Sequence, residues 1–198
     1  MMTHPRELRR LCLELEGVME ERRLLIVPGG GLFADAVRNI DAQLSLTPRA
    51  SHLMALTSMN AYGLLLADLA PRARLIERLD EAEVGSAIIL PYHEASQDPE
   101  LPMGWETTGD AVAARFAERL GVKLLILLKD VDGLLDGRGR LIEEVEASRV
   151  EGWSCLDPVA PRIIERAGIT CLVLNGLVEG RLTEALRGGR PTMTLIKP

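Results

Sequence analysis

Apolar residues recur along this chain with two different periods. Leu8, Leu11, Leu15, Val18 and Met19 keep the three-to-four spacing of an amphipathic helix, predicted over Leu8 to Glu21. "RLLIV" (23–27) is a short unbroken apolar run, which reads as a buried strand, and Phe33 to Leu44 returns to helical spacing. Thr47-Pro48 opens and Pro71 closes a longer, largely apolar segment. That pattern predicts a helix buried in the domain or against a second subunit. "RARLIER" and "SAIILPY" predict two more strands, and "ASQDPELPMGWETTGD" a polar, proline-bearing loop. The loop ends where Thr107 or Thr108 could cap a helix running from about Ala111 to Leu120.

"VKLLILL" (122–128) carries the strongest strand signal. In "DGLLDGRGRLIEE", Gly137 and Gly139 lie between two short apolar runs, a hairpin signature. Pro158 to Ala167 then reads as a helix, "ITCLVLN" as a strand, Glu179 to Leu186 as a helix and "TMTLI" as a last strand. Strands alternating with helices predict an α/β fold with a mainly parallel sheet covered on both faces. A length of 198 residues supplies one substantial core, so residues 1–198 are read as a single domain.

Charge narrows the function. Twenty-nine acidic residues against 23 basic ones leave a net charge of −6, which argues against general nucleic-acid binding. The longest apolar runs are too short to cross a bilayer, and the charged N-terminal helix lacks the apolar centre of a secretion signal. A cytoplasmic protein without a membrane partner is the expectation. Cys12, Cys155 and Cys171 are far apart and read as packing residues, and His4, His52 and His93 form no metal motif. No metal-ligating residue is assigned.

Candidate chemistry concentrates in three loops. Gly29, Gly30 and Gly31 follow a strand and open a helix, where backbone N–H groups and the helix dipole favour an anion. A tight turn would use the same glycines, but three in succession cost enough backbone entropy to favour close approach of a ligand. In "WETTGDAV", Thr107, Thr108 and Asp110 meet at a helix start; they read as a cap or as groups that orient a lysine or a phosphate. In "LLKDVDGLL", Lys129 leaves the carboxyl end of the strongest strand, with Asp130, Asp132, Gly133 and Leu134 beyond it. Ligands of open α/β sheets bind at that end, and a lysine there suits phosphate; a solvated turn is the alternative.

In order and extent, "VPGGGLFADAVRNID", "WETTGDAVAARFAERLGVKLLILLKDVDGL" and "VLNGLVEGRLTEALRG…TLI" resemble the amino acid kinase superfamily of aspartate, glutamate and uridylate kinases. The resemblance implies a three-layer αβα sandwich, ATP and Mg2+ as cofactors, a small-molecule phosphoryl acceptor and a homodimer. It places Gly29, Gly30, Gly31, Thr107 and Thr108 on the acceptor side, and Lys129, Asp130, Asp132, Gly133 and Leu134 on the nucleotide side. Asp110 would organise the catalytic cations, and Arg162 of "DPVAPRII" falls where many relatives carry a phosphoryl-stabilising lysine. The short length and "SHLMALTSMNAYGLLLADL" are similar to the small kinases of methanofuran biosynthesis, which convert aminomethyl-furanmethyl phosphate to its diphosphate.

Two departures stand out. The usual first strand, with a lysine and a glycine pair, is missing, and Met193 precedes Thr194 where relatives often have glycine. Loss of that strand predicts an open sheet edge or a central gap. Three readings follow: the strand is encoded upstream of a misassigned start, the kinase is weakened, or the chain is a non-catalytic nucleotide-binding or regulatory paralogue.

Overall fold

In the computed structural model, which describes residues 1–150 and 155–198, the predicted alternation is realised. Helix α1 (Pro5–Glu21) leads into strand β1 (Leu25–Ile26), helix α2 (Gly31–Leu44) and the long helix α3 (Pro48–Leu69). Strands β2 (Arg74–Ile76) and β3 (Ala87–Ile89) follow, then the short α4 (Tyr92–Ala95) and α5 (Gly109–Arg119). The second half contains β4 (Leu124–Lys129), β5 (Glu144–Glu146), α6 (Ala160–Ala167), β6 (Thr170–Asn175), α7 (Arg181–Leu186) and β7 (Met193–Lys197). Local chemistry sets several boundaries. The Thr47 hydroxyl accepts from the Ala50 N–H and Pro48 occupies the first turn of α3, while Gly168 ends α6 in the left-handed region. The predicted hairpin closes with Leu135 bridged to Leu141.

The strands form two sheets. One has the order β1-β3-β2 and is parallel throughout; the other has the order β4-β6-β7-β5 and is parallel except where β6 meets β7. Side chains alternate across both. Leu125 and Leu127 join a core built with Ala111, Val112 and Phe116 of α5 and Ile163 and Ile164 of α6. Ile126 and Leu128 turn the other way, onto Leu11 and Leu15 of α1 and Leu182 of α7. Helices α1 and α3 meet over Ile88 through Leu8, Tyr62 and Leu66. The result is a helix layer, a sheet layer and a second helix layer. Among the described residues, no helix is long and apolar enough to cross a membrane.

Strands β1 and β4 face each other without pairing. A cavity of about 710 Å3 separates them, lined by residues 24–27 and by Leu124–Lys129, with Ala113 and Phe116 on one side and Leu15 and Leu182 on the other. A central gap, one of the two outcomes expected above, is therefore present, and it lies between the two sheets.

Candidate active site

The carboxyl ends of β1 and β4 converge on the first turn of α5. Gly109 packs so closely on the glycine loop that a Cβ there would come within 3.3 Å of Gly29 Cα. Gly31 starts α2 at φ +54°, a conformation suited to glycine, and its Cα faces the Met2 side chain. Thr108, rather than Thr107, is the residue that caps α5: its hydroxyl accepts from the Asp110 N–H at 3.3 Å. The Thr107 hydroxyl instead donates to the Pro102 carbonyl at 2.6 Å, tying down the preceding loop.

Asp110 and Lys129 form the centre of the site. The Lys129 ammonium lies 2.6 Å from both carboxylate oxygens of Asp110. Side-chain exposures of 11% for Asp110 and 22% for Lys129 leave the pair mostly shielded but reachable from the cavity mouth. Burial pushes the Asp110 carboxyl above its ordinary pKa; Lys129 draws it back, and the nearby Asp157 charge adds to the rise. A carboxylate held ionised here thus depends on a cation at its side.

Asp157, which no motif had singled out, organises this corner. It is 1% exposed. One of its oxygens accepts from the Thr108 N–H, the Thr108 hydroxyl and the Ala111 N–H at 2.7–3.0 Å. The other accepts from the Val159 and Ala160 N–H groups at 3.0 and 2.8 Å. One carboxylate therefore satisfies orphan donors at the starts of both α5 and α6. The sequence signal was there, an Asp-Pro pair just ahead of an apolar helix, but its second set of partners lies 46–49 residues away.

The remaining candidates separate. Asp130 is exposed at the end of β4. Asp132 accepts from Asn175 at 3.2 Å and from Arg181 at 2.5 Å, and these donors hold its carboxyl below the ordinary range. Gly133 sits at φ +152°, and a Cβ there would come within 2.3 Å of the Thr194 hydroxyl. That hydroxyl accepts from the Leu134 N–H at 2.8 Å, and the Leu134 side chain is buried in the core. Leu134 is thus not brought to the Asp110–Lys129 pair. Arg162 is exposed on the first turn of α6, with no side-chain hydrogen bond or ion pair among the described residues. Trp105 donates its indole N–H to Asp41 at 2.6 Å and stacks under Arg38, which anchors its loop on α2. His93 lies exposed on α4, and Trp153 falls outside the described residues.

Comparison with known proteins bears on the family and the fold. The sequence pattern of the amino acid kinase family matches residues 1–175. The chain is 28% identical over 181 residues to (5-(aminomethyl)furan-3-yl)methyl phosphate kinase of Methanocaldococcus jannaschii, covering 88% of this chain and 84% of that protein. It is 28% identical over 202 residues to the uridylate kinase of Pyrococcus abyssi, covering 90% and 86%. The uridylate kinase structure from Archaeoglobus fulgidus superposes with a TM-score of 0.76 at 19% identity, over 97% of this chain and 92% of that one; it speaks for the fold.

Proposed function

Because the chain belongs to the amino acid kinase family, we propose that it is an ATP-dependent phosphotransferase acting on a small phosphomonoester. The acceptor we favour is the aminomethylfuran methyl phosphate named for the Methanocaldococcus relative, with the diphosphate as product. In this reaction an oxygen of the acceptor phosphate bonds to the γ-phosphorus of ATP. The bond to the β,γ-bridging oxygen breaks, and its electron pair leaves with ADP. Phosphoryl transfer of this kind depends on positioning and charge neutralisation rather than on covalent work by the protein.

The observation that carries the reading is the shielded Lys129–Asp110 pair, 2.6 Å apart, opposite the Gly29–Gly30 backbone at one cavity mouth. Lys129 supplies positive charge to the transferred phosphoryl group, and Asp110 fixes the ammonium. The glycine loop and the start of α2 hold the acceptor phosphate, with Thr108 beside them. Arg162, without a side-chain partner among the described residues, would reach the phosphates from α6. Among the described residues no group of three or more His, Cys, Asp or Glu side chains could hold a metal. Mg2+ commonly takes one or two carboxylates plus substrate phosphates, so an ion bound mainly by the triphosphate would need only Asp110, the carboxylate at the cavity mouth, to organise it. Bound there, the ion would neutralise triphosphate charge. A homodimer is part of the same proposal.

A nucleotide-binding regulatory role is the second reading, favoured by one observation: both Asp110 oxygens engage a single cation, Lys129. Assaying ADP release with MgATP and either the furan phosphate or UMP distinguishes the readings. We expect turnover with the furan phosphate, at a kcat/KM about 10-fold or more above that for UMP. Preference for UMP would overturn the acceptor assignment, and ATP binding without turnover on either compound would favour the regulatory reading.

A further inference from the structure

Helices α2 and α3 and the start of α5 enclose a second, smaller cavity beside the glycine loop. Gly30, Ala34 and Arg38 line it at four-residue spacing, so one stripe of α2 faces inward. His52, Leu56 and Met59 line it from α3 at similar spacing, and Trp105 closes it from the loop before α5. The two helices run in opposite senses along it. A Cβ on Gly109 would lie 3.3 Å from Gly29 Cα and 3.6 Å from the Met59 methyl group, which puts Met59 at the glycine-loop end. His52 lies two turns earlier, about 10 Å along α3, where Gly104 and Glu106 act on its ring. Arg38 lies two turns beyond Gly30, about 12 Å along α2, with its guanidinium 5.0 Å from the centre of the Trp105 ring. The cavity thus has the glycine loop at one end, His52, Trp105 and Arg38 at the other, and apolar side chains between.

His52 is 3% exposed, and among the described residues the Gly104 backbone is its sole hydrogen-bond partner. That backbone and the Glu106 charge favour protonation, but burial outweighs them and lowers the ring's pKa, so the imidazole is neutral. A neutral imidazole has one N–H and one bare nitrogen. The Gly104 carbonyl attracts the N–H, and the bare nitrogen is left as an acceptor at the cavity. Trp105 adds a second group that attracts a cation. Its indole N–H is held by Asp41 at 2.6 Å, and its ring already carries the Arg38 guanidinium. Arg38 is itself balanced by Asp35 at 2.8 Å. A bare buried nitrogen, an indole face backed by a carboxylate, and the Glu106 charge all favour a positively charged N–H donor.

Resting on the phosphotransferase reading of the same site, we propose that His52 and the Trp105 face form the specificity subsite for the far end of the acceptor, where they read a primary ammonium group. With the acceptor phosphate at the glycine loop, its ring lies against Ala34 and Met59, and its ammonium donates to the bare His52 nitrogen. The cavity as it stands, about 40 Å3, holds little more than one water molecule. Its outer wall consists of the half-buried Trp105 and of Arg38, whose side chain is 50% exposed. Rotation of these side chains, rather than a change of backbone, admits the ring.

The test measures binding by calorimetry, without nucleotide, of two furan methyl phosphates that differ only in carrying aminomethyl or methyl at the far position. The unsubstituted protein should bind the amine about 10-fold or more tighter, since a hydrogen bond to a charged group is at stake. In His52→Leu the ratio should fall to within about 2-fold, with the methyl compound bound as before. His52→Gln, which restores an acceptor oxygen, should recover part of the preference. Trp105→Leu, which removes the indole face from a half-exposed position, should narrow the ratio by about 2- to 5-fold. Equal binding of both compounds by the unsubstituted protein, a preference that survives His52→Leu, or equal weakening of both compounds in His52→Leu overturns the proposal. Should His52→Leu not fold, an unchanged ratio in Trp105→Leu overturns it. Absence of binding by either compound overturns it too. The expected ratios without ADP release from MgATP would fail the kinase reading and leave the subsite standing, whereas ADP release without the ratios would do the reverse.

Discussion

Asp98, packed against α5, and Asp110, in its first turn, are both buried and both meet a cation, yet their environments push them in opposite directions. Burial acts first to raise the Asp98 carboxyl, whose side chain is 1% exposed, but the donors around it win. Arg115 lies at 2.8 Å, the Glu100 N–H at 3.0 Å and Arg119 at 3.5 Å, so Asp98 is held below its ordinary pKa. Asp110 has Lys129 and a neighbouring carboxylate, and burial wins. Depth alone does not decide the state of a buried acid; the number of donors aimed at it does. The Asp98 cluster continues through Arg115 to Glu118, and through Arg166 to Glu118 and Glu100, stapling the outer flank of α5 to α6. Such a network staples helices together, whereas a carboxylate kept at a cost beside a cavity mouth is a candidate functional position.

The sharpest way to break this contrast is to remove one charge at a time. Asp110→Asn should lower turnover by about 100-fold or more, because a positioned electrostatic partner of the phosphates is lost. Its melting temperature should move little, since an asparagine oxygen can still accept from Lys129. A large fall in melting temperature with preserved turnover would reverse the roles of the two acids. Asp98→Asn should do the opposite, costing about 2–3 kcal/mol in urea denaturation by leaving Arg115 underpaired, with turnover unchanged.

A smaller effect lies in the acid limb of stability. The depressed Asp98 stabilises the fold fully above its unfolded value near 3.8, and that contribution is lost as pH falls through the lower folded value. The raised Asp110 opposes folding at neutral pH, and the penalty is relieved as pH falls through its folded value. Melting curves between about pH 5 and pH 3 should therefore flatten in Asp98→Asn and steepen in Asp110→Asn. Parallel curves for the two variants would show that the acids do not differ in the way described.

Much of this architecture was legible in the chain because its strong signals are local. The apolar run at 122–128 became β4, and the Thr47-Pro48 start became the capped beginning of α3. What was not legible depends on distant partners. Strand β5 is three residues, "EVE", with no apolar alternation to betray it; it exists because β7 arrives beside it. The antiparallel step between β6 and β7 has no local signature either. At the site, the three loops could be read as ligand-facing because each follows a strand or opens a helix. Asp110 could be read as a partner for a lysine, but not which one, since Lys129 is 19 positions away. Asp132 and Leu134 share a motif with Lys129, but Arg181 and Thr194 draw them elsewhere.

Asp157 gives the two halves of the site a common pivot. Because its two oxygens grip the first turns of α5 and α6 separately, any swing of α6 that carries Arg162 must drag Thr108 along or break the grip. The first turn of α6, which bears Arg162, and the first turn of α5, which bears Asp110, are thereby geared together through one carboxylate.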